Sequence, residues 1–384
     1  MRLGAPRIAI VHDWLDTWGG GENVLAEILR AYPQADLYSL VDFFPQALRE
    51  RLAGKRAHST FLQHVPGARR HFRLLLPLFP RAIESLDVAA YDIVLSSSHA
   101  VAKGVRTAPS QLHVCYCHTP MRYAWDLRDQ YLRQRGLASG IRGALANRML
   151  DRVRDWDRRT SSRVTRFIAN SAFVRDRIAR CYDRDATVIH PPVDTDFFAP
   201  GAATEPRDYY FAASRWVPYK RMDLIVAAFR ALPQRRLIVA GEGPEAARVR
   251  AAAGPNVEFP GHVTRERMRE LLRGARAFVF AAEEDFGILP VEAQACGTPV
   301  IAYGRGGARE TVRDAADGTP TGLFFDTQST AAIAAAVRGF EMLAEPINPD
   351  ACRANALAFS TPRFTAELTA FVERARTEFV AREG

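Results

Sequence analysis

Short apolar runs, each about one strand long, alternate with helical patterns along nearly the whole chain. RIAIVHDW (7–14), YDIVLSSS (91–98), QLHVCYCH (111–118) and RFIANS (166–171) read as strands in the first half. YYFAASR (209–215), RRLIVAG (235–241), NVEFPG (256–261), RAFVFAA (276–282), TPVIAY (298–303) and GLFFD (322–326) read as strands in the second. Between them, NVLAEILRAY, MDLIVAAFRAL, EAARVRAAA, the stretch 265–274 and AAIAAAVRGF carry helical spacing. Apolar runs without polar alternation suit parallel strands buried on both faces, and each parallel pair needs a right-handed crossover, usually a helix. The alternation therefore predicts an α/β chain of doubly wound parallel sheets.

A chain of 384 residues exceeds one ordinary core, so two domains are expected. Pro, Gly and small residues gather at 190–207 (HPPVDTDFFAPGAATEPR), which places a linker there. Two such domains would face each other across a cleft, with ligands at the carboxyl ends of strands. The formal charge of +9 points toward acidic partners: phosphates, nucleic acid or an anionic membrane. The basic stretches carry no mark of a nucleic-acid module. Five cysteines without CxxC spacing argue against a disulfide framework or a zinc site and fit a reducing compartment. Residues 1–15 read as a lead-in and a strand rather than a signal peptide. Apolar runs such as LLLPLF at 74–79 are far short of a membrane span.

Four stretches at strand ends carry candidate chemistry. In EEDFGILPVE (283–292), Glu284 falls in a loop after a strand and Pro290 suits the first helical position, which puts Glu292 in the first turn. The N–H groups near Gly287, Ile288 and Leu289 would point at an anion. The plainer reading has Glu292 complementing the helix dipole and Glu284 as ordinary loop charge. In SRWVPYKR (214–221), Arg215 and Lys220 could neutralise a departing phosphate without a metal, or form a solvated basic loop. GGGE (19–22) offers a backbone turn that a phosphate can approach, or simple flexibility. In CYCHTPMRYAWD (115–126), His118 sits at a strand end, and Arg122, Tyr123 and Trp125 could wall a sugar or merely pack.

Other patterns point elsewhere. GEGPEA (241–246) fits a dinucleotide fingerprint, with Glu258 near the expected acidic position, which keeps an NAD-type oxidoreductase open. Asp194–Asp196 and Asp183–Asp185 lie in turn-like contexts and read as structural rather than metal-binding. There is no Walker A, HExxH or GxSxG sequence.

Taken together, Glu284 and Glu292, SRWVPYK, GEGPE, ANSAFVRDRI with VIHPPVDTDFF, and GGGE resemble the retaining glycosyltransferases of family 4, with the GT-B fold. HDWL with GGGE, and CYCHTPMRYAWD, resemble a bacterial polysaccharide mannosyltransferase branch. The resemblance implies two Rossmann-like domains, an acceptor domain over 1–197 and a nucleotide-sugar domain over 198–360. A helix at 361–384 would cross back onto the first. It implies no cofactor and no metal. Arg215 and Lys220 would hold the donor diphosphate, Glu292 the ribose hydroxyls, and Glu284 the donor sugar. Phe286, Gly287, Ile288 and Leu289 would lie against phosphate or sugar, and Gly241 with the donor. His262 and Val263 would sit by the base, Gly20 and Gly21 by the diphosphate, and His118 near the sugar. Arg122, Tyr123 and Trp125 would face the acceptor. Arg221 departs from the pattern, since many relatives carry Gly after the lysine.

The implied reaction moves a sugar, mannose from GDP-mannose, to a lipid-linked or oligosaccharide acceptor in cell-surface polysaccharide synthesis. A UDP-sugar is the second donor reading. An epimerase or hydrolase on the same fold would convert donor without acceptor, and a non-catalytic member is opposed by the intact Arg215, Lys220, Glu284 and Glu292 set. The Arg-rich 128–166 region and RRHFRLLLPLF (69–79) suggest docking on an anionic membrane, on the cytoplasmic side. A soluble basic face is the alternative.

Overall fold

The computed structural model describes residues 6–126, 128–134, 136–137, 139–201, 207–314 and 318–383. It divides into two compact units, Met1–His190 with Phe364–Gly384, and Pro191–Arg363.

The first unit holds β1 (Ile8–His12), β2 (Asp36–Ser39), β3 (His58–Ser59), β4 (Ile93–Ser98), β5 (Leu112–Cys117), β6 (Arg166–Ala169) and β7 (Ala186–Val188). All pair in parallel, in the order β3-β2-β1-β4-β5-β6-β7. Side chains alternate across a strand, so Ile8 and Ile10 enter one apolar layer while Ala9 and Val11 enter the other. Val24, Leu25, Ile28 and Leu29 of the helix Gly20–Ala31 cover the first layer, joined by Phe364, Leu368, Phe371 and Val372 of the helix Thr361–Glu383. Phe72, Phe79 and Trp156 cover the second. Each such side chain, fully buried, contributes roughly 1.5–3 kcal/mol.

The second unit repeats the plan. It holds β8 (Tyr209–Ala213), β9 (Arg236–Ala240), β10 (Val257–Gly261), β11 (Ala275–Phe280), β12 (Val300–Tyr303) and β13 (Gly322–Phe325). Their order is β10-β9-β8-β11-β12-β13, again all parallel. Phe211 packs on one face, with the helix Ile288–Ala295. Tyr210 packs on the other, with the helices Met222–Arg230 and Thr330–Glu341.

Strand order reverses between β1 and β4 and between β8 and β11. Open α/β sheets bind ligands outside the carboxyl ends of their strands at such a reversal.

Some sequence readings need correction. β2, β3 and β7 were not anticipated; they are two to four residues long and carry little apolar signal. The stretch after His190 is packed chain at its start rather than linker: Val193 and Phe198 are buried in the second unit's core, and Val193 N–H donates to Phe359 O at 2.9 Å. Residues 202–206 of that stretch lie outside the described residues, as do residues 1–5 of the lead-in. The Arg-rich region forms the helices Arg128–Gln134 and Gly140–Thr160, with 127, 135 and 138 outside the description. All five cysteines are buried free thiols.

Candidate active site

In the second unit the loop after β8 turns on Trp216. The indole is fully buried, its backbone N–H donates to Glu242 O at 2.8 Å, and its Nε1 donates to Ala240 O at 3.4 Å. This anchor leaves Arg215 exposed, and among the described residues no carboxylate pairs with it. The GEGPE glycines complete the packing. A Cβ at Gly241 (φ +114) would stand 1.9 Å from Ser214 O, and one at Gly243 would stand 2.4 Å from Trp216 O. The glycines of the dinucleotide-like pattern thus have a packing cause, close approach of two loops. Glu258 is engaged by Arg236 at 2.6 Å. Both facts remove the support for a dinucleotide site.

Lys220 closes the short turn Pro218–Lys220, and its ammonium pairs with the Glu284 carboxylate. Burial works against the Lys220 charge, but Glu284 beside it more than compensates and raises its pKa. The next residue, Arg221, has φ +54, a left-handed conformation that suits glycine. The departure from the family pattern therefore falls where the backbone most wants Gly.

β11 ends at Phe280, and the loop after it reaches Gly287, whose φ of +88 starts the helix Ile288–Ala295. No side chain caps that helix, so its first N–H groups, Gly287 to Leu289, stay available. Because the helix begins at Ile288, Pro290 is its third residue rather than its first, and Glu292 enters the second turn. Phe286 is buried edge-on against Phe359 at 5.6 Å. Its ring belongs to the core, so only its backbone could meet a donor. Ile288 and Leu289 also rest partly on that core.

The loop after β12 was not singled out in the sequence. Gly307 N–H donates to Glu284 O at 2.8 Å. A Cβ on Gly306 would lie 2.3 Å from that oxygen, and one on Gly307 would lie 2.3 Å from Phe286 Cα. GRGG at the end of an apolar strand was the available signal.

Glu292 is half-buried, and burial lifts its carboxyl to about 7; Arg265 opposes the shift and Asp194 adds to it. His262 is exposed, and Val263 packs partly on the core. Asp194 accepts from Phe197 N–H at 3.1 Å and from Arg265 at 2.7 Å, and Asp183 ends the helix Ala172–Tyr182 at φ +56. Both acidic pairs therefore include a turn-forming residue. Among the described residues, no three metal-ligating side chains gather.

In the first unit, Gly20 and Gly21 open the helix Gly20–Ala31, and Glu22 Oε2 accepts from Gly19 N–H at 2.8 Å to cap it. His12 at the end of β1 bonds Ser97 Oγ at 3.1 Å through Nδ1, and Ser97 Oγ reaches His118 Nε2 at 2.9 Å. Asp13, fully buried, accepts the backbone N–H groups of His99, Ala100, Val101 and Ala102 and pairs with the His99 ring at 3.0 Å. Burial disfavours the Asp13 charge, yet His99 holds it well below the usual carboxylate range. Burial likewise disfavours a charged His99, and Asp13 raises it. Burial above all, with repulsion from the charged His99, pushes His118 down to about 3 and leaves it neutral. Sequence reading singled out His118, Gly20 and Gly21 but missed His12, Asp13, Ser97 and His99. The run SSSH closing an apolar strand was their signal.

Trp125 turns inward: its Nε1 donates to Asp157 Oδ2 at 2.9 Å, beside the buried Lys103–Asp157 pair. Its polar edge is thus taken, which weakens the sugar-wall reading for this residue. Arg122 and Tyr123 are half-buried nearby in sequence.

Residues 18–197 match the family model described as Glycosyltransferase Family 4, and 193–358 match Glycosyl transferases group 1. A D-inositol 3-phosphate glycosyltransferase of Mycobacterium sp. (strain KMS) is 32% identical over 177 residues, 40% of this chain and 40% of that protein. The like-named Mycobacterium marinum protein is 30% identical over 215 residues, 50% of this chain and 46% of its own length. The chain thus matches under half the length of these curated relatives. Anabaena HepE, crystallised with UDP and glucose, superposes with a TM-score of 0.68 at 18% identity, covering 96% of this chain and all of that one. A sucrose-phosphate synthase from Thermosynechococcus elongatus gives 0.72 at 19% identity, covering 97% and 100%. With the two parallel sheets, these likenesses establish an α/β GT-B fold.

Proposed function

We propose, from the premise that the chain belongs to the group 1 glycosyltransferases, that it moves a sugar from a nucleoside diphosphate to a saccharide or lipid-linked acceptor with retention. One observation carries this reading: Lys220 and Glu284 meet at the β8/β11 reversal, beside the uncapped helix start at Gly287. Lys220 and Arg215 would hold the diphosphate, and the helix N–H groups would add to their field. Glu284 would take hydroxyls of the donor sugar and Glu292 those of the ribose. In the first unit, Gly20 and Gly21 would offer backbone to a phosphate and His118 a ring nitrogen to a sugar hydroxyl. The C1–O bond breaks through an oxocarbenium-like state, the acceptor hydroxyl attacks the same face, and the leaving phosphate takes its proton. The protein's own cations carry the charge, so no metal enters the scheme.

GDP-mannose is the first donor reading, from the sequence resemblance. A UDP-sugar is the second, favoured by the UDP in the HepE crystals. A thermal-shift and hydrolysis panel of GDP- and UDP-sugars separates them. Turnover left intact by Lys220→Ala would overturn the mechanism.

The reading extends to an anionic membrane surface at the cytoplasmic face. Ile141 and Leu145, 91% and 69% exposed, project from the helix Gly140–Thr160 among Arg142, Arg148 and Arg152. Leu74 and Leu78 are exposed as well. No described helix is long and apolar enough to cross a membrane. Flotation with anionic liposomes at low salt tests the surface, and absence of binding removes it.

A further inference from the structure

We propose that Glu22 fixes the tautomer of His118 through His12 and Ser97, leaving His118 Nδ1 as a hydrogen-bond acceptor. The four side chains form one line. Glu22 Oε1 faces His12 Nε2 at 3.5 Å, His12 Nδ1 meets Ser97 Oγ at 3.1 Å, and Ser97 Oγ meets His118 Nε2 at 2.9 Å. Glu22, His12 and Ser97 are buried.

The polarity of the line follows from its first member. A carboxylate only accepts, so a neutral His12 must place its proton on Nε2, facing Glu22. His12 Nδ1 is then bare, and Ser97 must donate to it. Ser97 Oγ has one proton, so toward His118 it accepts, and His118 carries its proton on Nε2. His118 Nδ1 is left bare on a half-buried ring, with no partner among the described residues. The reverse polarity would set the lone pair of His12 Nε2 against the Glu22 carboxylate. The other Glu22 oxygen is held by Gly19 N–H at 2.8 Å, which stops the carboxylate from turning away. Asp13 and His99 are the other ionisable groups facing these rings. They are engaged with each other at 3.0 Å and do not interrupt the line.

Glu22, His12 and Ser97 are positioning residues on this reading. The GGGE motif thereby has a second use: its Glu caps a helix and orients a ring two side chains away. The use of Nδ1 to accept a sugar or acceptor hydroxyl rests on the transfer reaction proposed above; the relay itself does not.

The test is nitrogen-15 NMR of the histidine side chains in the full chain at mildly alkaline pH. Wild type should show His12 and His118 both protonated on Nε2. Glu22→Gln should reverse both rings. The Gln carbonyl must stay on Gly19 N–H, so its NH2 faces His12 Nε2 and drives each proton to Nδ1. Ser97→Ala should leave His12 unchanged and make His118 a mixture. A wild-type His118 protonated on Nδ1 while His12 is neutral overturns the relay, with no variant needed. So does Glu22→Gln with both rings unchanged. In the donor assay, Glu22→Gln should lower kcat at least tenfold with donor KM little changed. A reversed relay with unchanged kcat would instead overturn the use of Nδ1 in the reaction.

Discussion

Lys220 and Glu284, 64 residues apart in sequence, hold each other at the carboxyl ends of β8 and β11. In the proposed reaction both are donor ligands, and in the structure each is paired with the other. A nucleoside diphosphate must draw Lys220 away from a carboxylate before it gains the ammonium.

Glu284→Gln should therefore bind the bare nucleoside diphosphate more tightly than wild type, by about tenfold, since ~1.4 kcal/mol is one decade. Sugar transfer should fall about a hundredfold or more in the same variant. Calorimetric titration with GDP and UDP, beside turnover, checks both. Equal or weaker nucleotide affinity in the variant would show that the pair does not compete with the donor.

Glu292 makes stability depend on pH. Its folded-state pKa, about 7, lies above the ordinary 4.5. The group therefore costs nothing below the lower value, costs progressively more between the two, and carries its full cost above the upper one. Relative to Glu292→Gln, wild type should lose on the order of 3 kcal/mol across that window. Denaturant unfolding of both proteins at several pH values measures the difference. A flat difference contradicts the burial assigned to this carboxyl.

Arg221 stands in a left-handed conformation at φ +54. Arg221→Gly should hold or raise stability by up to about 1 kcal/mol, whereas Arg221→Val should lose about 1–2 kcal/mol, because a β-branched side chain tolerates that region worst. Thermal melts decide it. A Gly variant less stable than wild type would mean that the Arg221 contact with Asp223, 3.7 Å long, outweighs the backbone.

Gly306→Ala should damage sugar transfer more than its surface position suggests. The added methyl would lie 2.3 Å from Glu284 O, so the loop carrying Glu284 must move. We expect a loss of about 2–3 kcal/mol in stability and at least tenfold slower sugar transfer, read by melts and turnover. Wild-type turnover in this variant would show that the GRGG loop does not set the position of Glu284.

Much of this was legible in the sequence where one local pattern carried it. IAIVH, IVLSSS and ARAFVF announce β1, β4 and β11 by apolar content alone. DLYS, HS and ATV do not, because short strands at or near a sheet edge are held by their neighbours' hydrogen bonds rather than by their own burial. The helix start in EEDFGILPVE was misplaced by two residues because Gly287, through its left-handed backbone, opens the turn that Pro290 suggested. The histidine line was hidden for a different reason. His12 and Ser97 are 85 residues apart, and only the β1–β4 register brings them together. Arg221 was visible as a departure from a pattern, and its dihedral supplies the cause.

The helix Thr361–Glu383 gives the first unit a core that the chain completes only after building the second. Topologically, residues 191–363 are an insertion, and the host is interrupted between His190 and Phe364. Tyr116 marks both edges of the interruption, since its hydroxyl bonds Ile189 O at 2.9 Å and its ring meets Phe364 at 5.8 Å. A nascent chain therefore cannot finish its first module until the helix Thr361–Glu383 has left the ribosome. Deleting that segment would strip Phe364, Leu368 and Phe371 from a finished core, whereas splicing 190 to 364 through a few residues would keep the host intact.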